Sequence, residues 1–251
     1  MRFLQYGLVV ISTAFSMADA TYAEPSVIDI DAQTAIPVPA VDPKLVLAQQ
    51  VITQSGLQGL SEQARHVAQG LLNELQLPLA QQYQLVGRVS SAWSPDQLQP
   101  LLSQHLPKDE ESLKALLALL ERADMATVRQ LELDAVGEQT SSQYQQYIER
   151  LRQQPPPANR QQALQQLDQA MHFSALMTQV RASVYADVQQ VVEDWQPPED
   201  WQTQVQAQVL EFLLYVHRRT SNQQLQQLTQ VYQTKELQDW LQASQQALPR
   251  I

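Results

Sequence analysis

The sequence predicts an all-α protein, an antiparallel array of short helices in two pseudo-repeated halves. Three observations carry that expectation. Apolar residues recur at helical spacing, good capping residues stand between the runs, and a pattern near the C-terminus occurs twice. Glycine is scarce at 6 and Gln abundant at 45. The glutamines alternate with Leu at helical spacing instead of forming a tract, so they read as uncharged helix surface.

The stretch 204–248 organises the chain. Val205, Val209, Phe212, Leu213 and Val216 form one stripe, and Leu210 and Leu214 widen it until the helix must be buried around most of its circumference. Thr220 and Ser221 break the pattern. Ser221 with Gln224 reads as a capping box that opens a helix over 222–232, and a third segment from Thr234 carries Leu237, Trp240, Leu241 and Leu248. Shifted back by 112 positions, Leu213, Leu214, His217, Leu225, Leu228, Val231 and Leu237 fall on Leu101, Leu102, His105, Leu113, Leu116, Leu119 and Met125, and Ser221 falls on Asp109. An ancient duplication accounts for the match. A weaker echo sets 52–68 against 167–184, with Leu60, Gln63 and Arg65 opposite Leu176, Gln179 and Arg181.

Residues 1–23 read as a cleavable signal peptide: Arg2, an apolar run over 8–15, and small residues at 18–23. Export to the periplasm is the expectation, and no later segment is apolar and long enough to span a bilayer. Residues 24–41, with Pro25, Pro37 and Pro39, form an extended tail. The first helical half covers 42–153, a Pro-rich hinge 154–158, and the second half 159–251. Cysteine is absent, which removes disulfides, thiolate chemistry and cysteine zinc sites. A net charge of −10 argues against nucleic acid and anionic membrane surfaces.

In order, Asp42-Pro43 caps a helix to Ser55 with Leu45, Ala48, Val51 and Ile52 on one face and Gly56 as its stop. A second helix over 58–75 turns Leu60, Ala64, Val67, Leu71 and Leu75 inward. A third over 80–92 aligns Tyr83, Val86 and Val89. Ser94-Pro95-Asp96-Gln97 reads as a complete capping box for a helix ending before Pro107. Asp109 caps a helix to about 121, Asp124 caps one to about 136, and Gly137 closes the first half. A bridging helix spans 141–153. After Pro155, Pro156 and Pro157, Asn159 caps a helix to 171, and another runs over 173–193 before Pro197-Pro198.

Reactive constellations are hard to find. His105 and His217, at matched positions, are candidates for a proton-transfer or metal pair across the halves, but neither has His or a carboxylate at i+3 or i+4, and capping or packing is the plainer role. His66 and His172 stand alone. Asp109, Glu110 and Glu111 suit a helix's first turn, where negative charge meets the macrodipole. Glu132 and Asp134, two apart on a helix, point in different directions and make a poor acid/base couple. Glu193, Asp194, Glu199 and Asp200 flank Trp195 and Trp201 without calcium-loop spacing. Trp93, Trp195, Trp201 and Trp240 read as core anchors unless two share an exposed face. No catalytic, cofactor-binding or metal residue is assigned, and no cofactor.

The segment 214–225, LYVHRRTSNQQL, continued by Val231-Tyr232-Gln233-Thr234, resembles a family of exported bacterial helical proteins catalogued as domain of unknown function 2059. Members show an aromatic and basic helix end, then Ser-Asp-x-Glu-Leu, then an aromatic followed by Ser-Pro-x-Gly. Ser221 and Leu225 match, Tyr232 and Thr234 are near matches, and Lys235 and Leu237 depart from the Pro and Gly. The two-half layout, with Leu131-Glu132 in one half and Pro155-Pro156 before Arg160, extends the likeness over most of 45–248. The resemblance implies an all-helical, usually periplasmic protein and no functional residue. The expected function is a non-enzymatic interaction module acting on a protein or envelope component. The alternatives are a carrier of a lipid or other apolar ligand in a cavity between the halves, and an enzyme with an unrecognised site.

Overall fold

A computed structural model describes residues 42–248, which belong to one compact unit. The signal peptide and tail expected over 1–41 lie outside the described residues. The described chain is all-helical, and no helix in it is long and apolar enough to cross a membrane.

The first half opens with α1 (Pro43–Ser55), capped by Asp42, whose carboxylate accepts from Lys44 N at 2.9 Å. Gly56 ends it at φ 76°, a left-handed turn that favours glycine. A 3₁₀ turn (Leu57–Gly59) leads into α2 (Leu60–Leu75), followed by α3 (Leu79–Ala92), α4 (Pro95–Ser103), α5 (Glu110–Leu120) and α6 (Ala123–Glu138). The bridge is α7 (Ser142–Gln153). The second half comprises α8 (Ala158–Met171), α9 (Phe173–Val191), α10 (Trp201–Val216), α11 (Asn222–Tyr232) and α12 (Lys235–Ala247).

The plan recurs between the halves. Helices α5 and α11 lie 112 positions apart at both ends, and α6 and α12 start 112 apart. Leu113, Leu116 and Met125 are buried, as are their counterparts Leu225, Leu228 and Leu237. Helix α1 packs on α5 as α8 packs on α11. Helix α2 packs on α3 as α9 packs on α10, and the two central helices α2 and α9 pack on each other. The position of unbroken α10 is taken in the first half by α3 and α4, separated at Trp93-Ser94, with Pro95 opening α4. One apolar core runs through both halves, from Val51 to Leu248.

Several local expectations change. Leu45 is 65% exposed, so α1 turns Val51 and Ile52 inward instead. Tyr83 and Val86 do not share the buried face with Val89. The core takes Leu85 and Val89, four apart, and leaves Tyr83 70% exposed. Ser94 caps α4 by accepting from Gln97 N, but the Gln97 side chain makes no return bond among the described residues, whereas Ser221 and Gln224 form the full box at α11. Gly137 lies inside α6, where an added Cβ would meet nothing within 4 Å, and the helix runs one residue further. Arg122, not Asp124, is the N-cap residue of α6; Asp124 sits in the first turn and accepts from Arg122 Nη2 at 2.9 Å. Pro157, not Asn159, precedes α8, because proline's fixed φ suits a helix entry.

Burial of each large apolar side chain in this core contributes roughly 1.5–3 kcal/mol before entropy is counted. Leu213 is 0% exposed, so Leu213→Asp places a carboxylate where it cannot be solvated. That variant should cost more than about 4 kcal/mol and lose its cooperative melt by circular dichroism. Leu79→Asp, at a site 63% exposed, should stay within about 0.5 kcal/mol of wild type.

Candidate functional site

Among the sequence candidates, the two matched histidines have unlike surroundings. His105 is exposed just beyond α4. His217, at the C-cap of α10, is fully buried, with Nδ1 3.3 Å from Thr220 Oγ1 and Nε2 without a partner among the described residues. Burial, assisted by the Arg160 guanidinium, pushes its pKa down to about 4, so the ring is neutral at physiological pH. Arg160 donates to the carbonyl oxygens of His217 and Thr220, the latter at 2.7 Å, and to Asn222 Oδ1 at 2.9 Å. This is capping chemistry.

The other candidates are likewise local. Asp109 accepts from Ser112 N at 2.7 Å, and that bond holds its carboxyl below the usual range. Trp93 and Trp240 are buried; Trp195 and Trp201 are half-buried, and each stands edge-on to Tyr185, with centroids 5.2 and 5.4 Å apart. Asp168, His172 and Ser174 line one surface pocket of about 500 Å³, a triad by composition only. The Ser174 hydroxyl and amide both donate to Asp168 at 2.7 Å, while His172 Nε2 lies 2.9 Å from Gln238 Oε1. That geometry begins a helix, and the histidine makes no bond to the serine among the described residues. No group of three or more His, Asp or Glu side chains among the described residues is placed to hold a metal ion.

The feature with chemical interest lies at the seam of the halves. A cavity of about 80 Å³ opens among the 3₁₀ turn, α2, α6, α9, α10 and the ends of α1, α8 and α11, with Leu241 of α12. Leu57, Leu60, Val136, Leu176 and Phe212 give it an apolar lining, and Ser55, Gly56 and the 46%-exposed Leu133 lie toward solvent. Into this lining comes Glu132. Its stem is partly exposed, but Oε1 is shut off from solvent and has no hydrogen-bond partner among the described residues. Burial raises the carboxyl to about 7 against a smaller opposing pull from Arg129. Arg129 makes no ion pair with it among the described residues; its Nη1 donates to the carbonyl oxygens of Gln54 and Leu120. The Tyr232 phenol is pushed upward by burial and by the Glu132 charge.

A larger groove of about 290 Å³ adjoins the cavity, sharing Gln63, Phe173 and Phe212 as a common wall. Tyr144, Gln139, Gln145 and Gln208 line it with His66, and two arginines border it. Arg152 is paired to Glu211 at 3.0 Å, and Arg181, whose Nε is buried without a partner, donates to Gln208. An apolar cavity with one unpaired carboxyl, next to a polar groove, offers both apolar and polar contacts to anything that enters it.

Glu132 was legible in principle. Met125, Val128, Glu132, Ala135 and Val136 follow helical spacing, so the glutamate stands within the buried stripe of α6. Comparing it only with Asp134 hides this; Asp134 is exposed and accepts from Gln130 at 2.7 Å. The chain matches no family model, no curated protein and no solved structure.

His217 and Glu132 act on stability with opposite signs. An unfolded chain protonates His217 near 6.5 and the native chain only near 4, so stability falls as pH drops through that window. The native chain holds the Glu132 proton up to about 7 and the unfolded chain only to 4.5, so stability falls as pH rises through that one. Glu132→Gln should therefore add about 3 kcal/mol at pH 8.5 and little at pH 4.5. Between pH 7.5 and 4.5, His217→Gln should lose about 2–3 kcal/mol less stability than wild type. Urea unfolding across pH measures both.

Proposed function

We propose that this is an exported, non-enzymatic binding protein that holds a small amphipathic ligand at the seam between its halves. The single observation that carries the reading is the apolar cavity with the unpaired Glu132 carboxyl. Native polar atoms without partners are few, and one facing an apolar chamber is costly unless something meets it. The cavity alone suits a fragment of a few carbons, so a lipid-sized molecule would have to extend into the adjoining groove. Export rests on the pattern over residues 2–23, and periplasmic location with it. Likeness to domain of unknown function 2059 and an ancient duplication are part of the same proposal, the latter supported by the recurring helix boundaries.

A second reading, an interaction module for a protein or envelope component, is favoured by α3. Leu79, Tyr83 and Val86 are all exposed at spacings of four and three, one apolar stripe on one helix.

Native mass spectrometry of the gently purified chain should find a bound small molecule. Leu133→Trp, at the solvent side of the cavity, should abolish that binding with melting changed by less than about 0.5 kcal/mol. Wild type without any small ligand would remove the carrier reading. For the second reading, replacing Leu79, Tyr83 and Val86 together by Ser should abolish recovery of a stoichiometric partner polypeptide and leave the melt unchanged.

A further inference from the structure

Resting on the carrier reading, we infer that the seam cavity takes the ammonium end of a small aliphatic primary amine, with the Glu132 carboxylate accepting its hydrogen bond and the apolar walls covering its chain. Four observations converge. The Glu132 Oε1 atom is buried and unpartnered. The nearest cation, Arg129, spends Nη1 on two backbone carbonyls and comes no nearer than Coulombic range of the carboxyl. The lining is dominated by Leu57, Leu60, Val136, Leu176 and Phe212. The chain carries a net charge of −10, which draws cations and repels anions on approach.

Size narrows the class. An apolar cavity of about 150 Å³ holds a benzene ring, so 80 Å³ admits roughly a propyl to butyl chain. An anion would put like charge against Glu132. An alcohol could satisfy one oxygen but would leave the carboxylate charge unbalanced, whereas an ammonium supplies three donors and the opposite charge in one group. The same alkylammonium ends a lysine side chain, so the source is either a free amine or a lysine presented by a polypeptide.

Calorimetric titration of the full chain at pH 8.5, where Glu132 is ionised, tests the assignment with n-butylamine, n-butanol, butyrate and Nα-acetyl-lysine amide as probes. The amine should bind at least about tenfold tighter than the alcohol, with butyrate weakest, and Glu132→Gln should erase that preference while keeping its helical circular dichroism. Equal affinity for amine and alcohol, or a preference that survives in Glu132→Gln, would overturn the inference and leave the cavity as a binding site for neutral ligands. Failure of all four probes would overturn the inference, whereas the carrier reading stands or falls with the ligand sought by native mass spectrometry. Tighter binding of n-butylamine than of the lysine amide supports a free amine; the reverse order assigns the ammonium to a polypeptide lysine.

Discussion

A helix whose last turn is buried on every side has nowhere to send that turn's carbonyl groups, and α10 ends this way, although Gln202, Thr203, Gln206, Ala207 and Gln208 nearer its start are exposed. Its residues from Phe212 to His217 are buried one after another, so water cannot satisfy its C-terminal end. Three side chains do so instead. Tyr147 donates to the Leu214 carbonyl at 2.9 Å, Arg218 to that of Tyr215 at 2.8 Å, and Arg160 to that of His217. They come from α7, from the turn after α10, and from α8, so the needs of one helix end tie together the bridge and three elements of the second half. Arg160 also holds Asn222, the first residue of α11, which fixes where the chain turns. Around it, Tyr144 and Tyr147 meet Tyr215 edge-on at 4.8 and 5.2 Å, and Arg218 stacks 4.0 Å above the Tyr215 ring.

The first half solves a similar problem with Arg129. Its Nη1 reaches back to the carbonyl of Gln54 in the last turn of α1 and to that of Leu120 at the end of α5. Its stem runs beside Gly56, where an added Cβ would lie 3.5 Å from Cγ. An arginine used this way is a helix-end donor first and a counter-ion second. Glu132, one turn along α6, has this cation near enough to be felt but not bonded to it. The arginine beside the seam cavity is turned toward the helix ends that the first half has to close.

Sequence reasoning reached the helices and most of their caps because those are local: Ser221 and Gln224 satisfy each other within four residues, and a stripe such as Val205 to Val216 states its own burial. It failed where burial depends on which neighbour arrives. On α3, Tyr83, Val86 and Val89 and the pair Leu85 and Val89 are both acceptable helical stripes. The choice falls to Leu85 because α2 and α9 pack on that side. The matched histidines diverge for the same reason: Arg160 and α8 enclose His217, while His105 ends in solvent. The cavity was not legible at all, since its walls come from the 3₁₀ turn and eight helices spread over both halves. Only Glu132's place in the stripe of α6 hinted that one wall was polar.

That polar wall is difficult to explain as packing. A leucine at position 132 would continue the stripe of Met125, Val128 and Val136 and would leave no buried oxygen to satisfy. His217 is a different case, because its ring fills space under a cap that Arg160 and Thr220 complete, and its neutral form is compatible with burial. For Glu132, neutrality is available only below about pH 7, so at or above neutral pH the native chain carries an electrostatic strain that a simple substitution would relieve. Local departures from what stability prefers concentrate where a chain binds something. Of His217 and Glu132, the first fills space beneath a helix cap that Arg160 and Thr220 complete, and the second stands at the edge of a cavity, which is the contrast on which the proposed ligand site rests.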